Sequence, residues 1–98
     1  MMPGWLLESS GEAPIILRVA LGSARTIGRT ARADFVVDAP LISRVHCRLT
    51  VDASGQLLVE DLGSTNGTLV NAERVDRRVL RHGDTLTLGR VEFRVAES

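Results

Sequence analysis

Lysine is missing from this chain altogether, and so is tyrosine. All twelve basic side chains are arginine, and twelve aspartates and glutamates balance them to a formal net charge of zero. A neutral chain lacks the positive field with which nucleic-acid binders engage a phosphate backbone. Trp5, Phe35 and Phe93 are the only aromatics, too few for a platform on which bases stack. No nucleic-acid partner is therefore expected. Without lysine there is also no G-x-x-x-x-G-K-[ST] phosphate loop, which depends on that amine. The single Cys47 cannot close an internal disulfide, which suits a reducing compartment. No stretch approaches the ~20 apolar residues of a membrane span. Met1 to Glu8 has no basic segment followed by an apolar run, so no secretory leader is expected. These absences lead to the expectation of a soluble, cytoplasmic protein that does not engage a membrane.

What is present reads as one β domain over residues 1–98. A chain of 98 residues with a hydrophobic fraction of 44% can fill a core without disulfides or metals. From His46 to Val51, Cys47, Leu49 and Val51 alternate with Arg48 and Thr50, the period of two of a half-buried strand. Leu86 and Leu88 alternate with Thr85 and Thr87, and Val91, Phe93 and Val95 with Glu92 and Arg94. Ile15 to Ala20, Gln56 to Asp61, Thr68 to Val70 and Glu73 to Val75 read as further strands, and Phe35 to Val37 as a short buried one. Turn signals separate them: Asp52-Ala53-Ser54-Gly55, Asn71-Ala72, His82-Gly83-Asp84 and Gly89-Arg90. No window keeps helical periodicity over ~10 residues. Ten or eleven short strands with frequent turns predict an all-β sandwich.

Three loop-like pieces carry the chemistry: Gly28-Arg29, Ser43-Arg44-Val45-His46 and Ser64-Thr65-Asn66-Gly67. Together they offer guanidinium, hydroxyl and carboxamide donors with no acidic side chain, which suits a doubly charged phosphate group. The same set offers a metal no carboxylate and only one imidazole, so no metal or cofactor is expected. Ser43 and His46 suggest a nucleophile and base. Three residues apart in extended chain, however, they face opposite ways, and no third group marks the imidazole for orientation. Asn66-Gly67 also has a purely conformational reading, since Asn-Gly is the strongest short hairpin signal.

In order and spacing these pieces resemble the forkhead-associated (FHA) family, with its Gly-Arg, Ser-x-x-His and Asn-Gly. The resemblance runs from about Leu17 to Val95. It includes Asp34 and Asp38 around Phe35-Val36-Val37, Asp61 before Gly63-Ser64, and Gly83-Asp84 before Leu86. Ala72 departs from it, standing where the family often has a second Asn-Gly turn. The resemblance implies an eleven-stranded sandwich with its binding loops at one end, and a non-catalytic module for phosphothreonine peptides. Arg29, Ser43, Arg44 and Thr65 would hold the phosphate, and Asn66 the ligand's main chain. Gly28, His46 and Gly67 would support the site, His46 by tying the Ser43 and Asn66 loops together through its ring nitrogens. The implied partner is a Ser/Thr protein kinase or its substrate, met by a monomer. The alternative is a degenerate FHA-like fold used for phosphate-independent protein contact.

Overall fold

The computed structural model describes residues 4–98, and among them the chain forms eleven strands and no helix. In order these are β1 (Gly4–Ser9), β2 (Ile16–Ala20), β3 (Ala24–Gly28), β4 (Phe35–Val36), β5 (Cys47–Val51) and β6 (Leu57–Asp61). They continue with β7 (Thr68–Val70), β8 (Glu73–Val75), β9 (Arg77–Leu80), β10 (Thr85–Leu88) and β11 (Val91–Glu97). The expected domain bounds, 1–98, begin in residues 1–3, which lie outside the described residues.

Six strands form an antiparallel sheet in the order β2-β1-β11-β10-β7-β8. Five form a second sheet, β4-β3-β5-β6-β9, mixed because β4 runs parallel to β3. The alternation in the sequence decides which side chains lie between the sheets. Cys47, Leu49 and Val51 of β5, Leu86 and Leu88 of β10, and Phe93 and Val95 of β11 are all buried. Burying each large apolar side chain contributes about 1.5–3 kcal/mol, so this two-sided apolar layer is what holds the sandwich closed. Trp5 caps it at one end, where its indole N–H donates to the Gly55 carbonyl at 2.9 Å.

Phe35 to Val37 is not the buried strand that its composition suggests. Phe35 and Val36 form a two-residue edge strand paired only with β3, and Val36 is 52% exposed while Val37 is buried. Three consecutive apolar residues cannot all face one way in extended chain, and at a sheet edge nothing covers the outward one. Asn71-Ala72 keeps the tight turn despite its missing glycine. Both residues have positive φ, 50° and 68°, as a two-residue primed hairpin requires. A left-handed alanine costs about 1–2 kcal/mol. Asn71 offsets this by donating to Asp84 Oδ1 at 3.0 Å and accepting from the Thr85 amide at 2.9 Å.

Strand direction now places the site. β3 ends at Gly28 and β6 at Asp61, while β5 begins at Cys47 and β7 at Thr68. The three loops of interest therefore gather at one end, opposite the 52–56 hairpin beneath Trp5.

Candidate functional site

Gly28 has to be a glycine for a reason other than its turn. A Cβ there would land on the carbonyl oxygen of Arg44, with the Val45 Cα also closer than any real contact. Bare backbone at Gly28 lets the first loop lie directly on the second. Two backbone bonds fasten the contact: the Arg29 amide donates to the Ser43 carbonyl at 2.9 Å, and the Thr30 amide to the Arg44 carbonyl at 3.4 Å. The Arg29 side chain is then fixed through Nε, which donates to the Ile42 carbonyl at 3.0 Å. Both terminal nitrogens remain for a ligand. The ion pairs found among the described residues, Arg48–Glu60 and Arg78–Glu73, do not involve Arg29.

His46 is wholly buried behind the loops. Its Nδ1 accepts from the Ser43 amide at 3.1 Å, and its Nε2 lies 2.9 Å from the Gly67 carbonyl. A carbonyl can only accept, so Nε2 carries the proton and the ring is the neutral Nε2–H tautomer. Ser43 Oγ accepts from the Thr65 amide at 3.1 Å, which joins the second loop to the third and leaves the hydroxyl proton for a ligand. A Ser43–His46 nucleophile and base is excluded by this geometry. The ring meets the Ser43 amide, not its hydroxyl, and both ring nitrogens are taken by backbone. Cys47 is no substitute nucleophile, since burial foremost, with the nearby Asp61 charge, pushes its thiol up to about 12.

The third loop is braced from below by residues that the sequence reading did not single out for a role. Asp61 accepts from the Gly63 and Ser64 amides, the Ser64 hydroxyl and the Thr68 hydroxyl. Ser64 Oγ in turn accepts from the Gly67 amide at 2.9 Å. Four polar side chains are buried in the described chain, and three of them, His46, Ser64 and Thr68, stand behind these loops. All find partners. The visible signal was the Asp61-Leu62-Gly63-Ser64 cluster, a turn in which a carboxylate binds amides two and three residues on.

Burial pushes the Asp61 carboxyl up, but the Ser64 and Thr68 hydrogen bonds together outweigh burial and hold it below its ordinary value. Hydrogen bonds from Thr26 lower Asp34 likewise, and those from Ser54 and Gln56 lower Asp52. A carboxyl held lower in the folded chain than in the unfolded one contributes stability fully above about pH 4, its unfolded value, and loses it as pH falls through the folded value. Acid unfolding curves should therefore differ between the parent chain and Asp61→Asn. The variant should start about 1–3 kcal/mol less stable at neutral pH, where a charged acceptor is missing, and fall less steeply in acid. Parallel curves would mean that the Asp61 charge carries no part of the loop's stability.

The result is an open cleft of about 430 Å³. Arg29, Ser43, Thr65 and Asn66 line its polar side, and Pro40 to Ile42 its apolar side. Arg44 is exposed and not among the lining residues; its carbonyl serves Thr30 instead. Asn66 Nδ2 donates to the Leu41 carbonyl at 2.9 Å. One amide hydrogen and Oδ1 are left, a donor and an acceptor side by side, the pair needed to meet the N–H and C=O of an extended peptide. Among the described residues no group of three or more His, Cys, Asp and Glu is placed to hold a metal. Among the described residues no helix is long and apolar enough to cross a membrane.

Fold and cleft together define a β-sandwich that carries a donor-rich cleft on the loops at one end. The family profile of the FHA domain matches residues 25–89, and the chain belongs to the FHA family. It is 40% identical over 63 residues to the glycogen accumulation regulator GarA of Mycolicibacterium smegmatis, covering 64% of this chain and 39% of that protein. Among solved structures it resembles an FHA domain from a study of phosphothreonine-dependent FHA interactions, with 31% identity, TM-score 0.86 and 95% of each chain covered. It also resembles the FHA domain of FhaA, solved in complex with the intracellular domain of Rv3910. There the identity is 32% and the TM-score 0.84, over 93% of this chain and 98% of that one. The chain spans less than half the length of the first curated relatives it matches.

Proposed function

We propose that this chain is a phosphothreonine-reading module that binds a partner protein without catalysing a reaction. The observation that carries this reading is the state of Arg29. Its guanidinium is anchored through Nε, has no carboxylate partner among the described residues, and belongs to a side chain that lines the cleft together with Ser43. A planar fork held in this way meets two phosphate oxygens with parallel charge-assisted bonds. Ser43 and Thr65 add hydroxyls, Arg44 adds charge from outside the cleft, and Asn66 takes the peptide backbone. His46, Gly28 and Gly67 hold the loops in place. The lack of catalysis in this reading is supported by the commitment of both His46 nitrogens to backbone. The partner is a phosphorylated Ser/Thr kinase or one of its substrates. The buried, unpaired Cys47 is consistent with a reducing cytoplasm.

Calorimetry on one peptide sequence carrying Thr, Glu, phosphoserine or phosphothreonine tests the proposal at fixed salt and pH. The phosphothreonine form should bind, while the Thr and Glu forms should not bind measurably. A carboxylate brings one charge and two coplanar oxygens, against three oxygens and about −1.5 to −2 charges on a phosphate. Phosphoserine, lacking one methyl, should bind roughly ten- to two-hundred-fold more weakly if the cleft's apolar side fits that methyl. Equal binding of the unphosphorylated peptide would sink the proposal. Equal binding of both phosphopeptides would leave a general phosphate site.

A further inference from the structure

Asn66 is oriented by a residue whose own backbone is unusual. Leu41 has φ +74°, a left-handed conformation that leucine avoids because its Cβ crowds the following carbonyl. Its carbonyl accepts from Asn66 Nδ2. The third member comes from the other sheet. Gly89, the first residue of the β10–β11 turn, has φ +61°. A Cβ on Gly89 would lie 3.0 Å from the Leu41 Cβ, 3.1 Å from its carbonyl carbon and 3.2 Å from its carbonyl oxygen. The Leu41 peptide thus rests on the bare face of Gly89, and the same carbonyl oxygen is the one that holds Asn66.

We infer that Gly89 is a positioning residue of the cleft, acting through the left-handed peptide of Leu41 on the Asn66 carboxamide. The inference rests on the proposed role of Asn66 in gripping the ligand's main chain. It extends the site to a turn that lines none of the cleft. A glycine needed only for its positive φ would behave differently: substitution would lower stability without preference for anything Asn66 does. A glycine that seats Leu41 links its substitution to Asn66 in particular.

The test is a double-mutant cycle on phosphothreonine-peptide binding, using the parent chain, Gly89→Ala, Asn66→Ala and the pair. Alongside it, nitrogen-edited NMR follows the Asn66 side-chain amide in the ligand-free protein. Gly89→Ala should weaken binding roughly two- to tenfold, as for one misdirected hydrogen bond. It should weaken binding by less than about twofold once Asn66 is already alanine, and should shift the Asn66 amide resonances. Equal losses in both backgrounds, or an unmoved Asn66 amide in a folded variant, would overturn the inference. If Gly89→Ala does not fold, Leu41→Val replaces it. A β-branched residue resists left-handed backbone and leaves the β10–β11 turn intact. It should show the same dependence on Asn66, and equal losses in both backgrounds would again overturn the idea. If the parent chain binds no phosphopeptide, the proposed function falls, while the amide resonances still decide whether Gly89 positions Asn66.

Discussion

Arg29→Ala is expected to remove phosphopeptide binding and leave the sandwich folded. The side chain is exposed, and its one intramolecular bond is from Nε to the Ile42 carbonyl. Losing that bond costs the fold about 1 kcal/mol. Losing the terminal nitrogens is far more serious, because a desolvated phosphate then faces no guanidinium. Truncating one side of such a pair costs about 2–5 kcal/mol, or roughly thirty-fold to several-thousand-fold in affinity. Arg29→Lys should recover little. A single ammonium can serve the Ile42 carbonyl or the phosphate, whereas the guanidinium serves both at once. Calorimetry beside a thermal melt checks this. A folded Arg29→Ala that binds within a factor of about three would take Arg29 out of the site.

His46→Ala should damage stability and binding together. It orphans two backbone groups, the buried Gly67 carbonyl and the part-buried Ser43 amide. At about 1–3 kcal/mol for each unsatisfied group, the loss is roughly 2–6 kcal/mol, a large fraction of a small domain's stability. Binding should weaken even well below the melting transition, since the loops bearing Ser43 and Asn66 lose their common anchor. Lost binding with an unchanged melting temperature would require the imidazole to meet the ligand directly, against its complete burial.

Much of the fold could be read from period-two patterns, and its limits follow from the same source. Alternation says which face a residue takes, so Leu49, Leu86 and Phe93 were assignable to the core. It does not say which strands are neighbours, and nothing local reveals that β1 lies between β2 and β11. It also fails for runs such as Phe35-Val36-Val37, where exposure depends on whether another strand lies alongside. At the cleft, the resemblance picked out loops that do lie together, and Arg29, Ser43, Thr65 and Asn66 line one space. Arg44, beside Ser43 in the motif, is exposed and is not among the residues that line that space. Gly89 was readable only as a turn residue. Its contact with Leu41 joins positions far apart in the chain, and no local pattern encodes such a meeting.

The hydrogen bonds behind the cleft close into a circuit. Ser43 donates to His46, His46 to Gly67, and two residues before Gly67 the Thr65 amide returns to Ser43. A circuit has no loose end from which to fray. When one link opens, its neighbours lose the geometry that made them favourable, so the loops come apart in one event or stay shut. Hydrogen exchange should therefore show the amides of Ser43 and Thr65 opening together, as one cooperative unit. On the proposed function, an arriving phosphate would meet a receptor already assembled, with little ordering left to do.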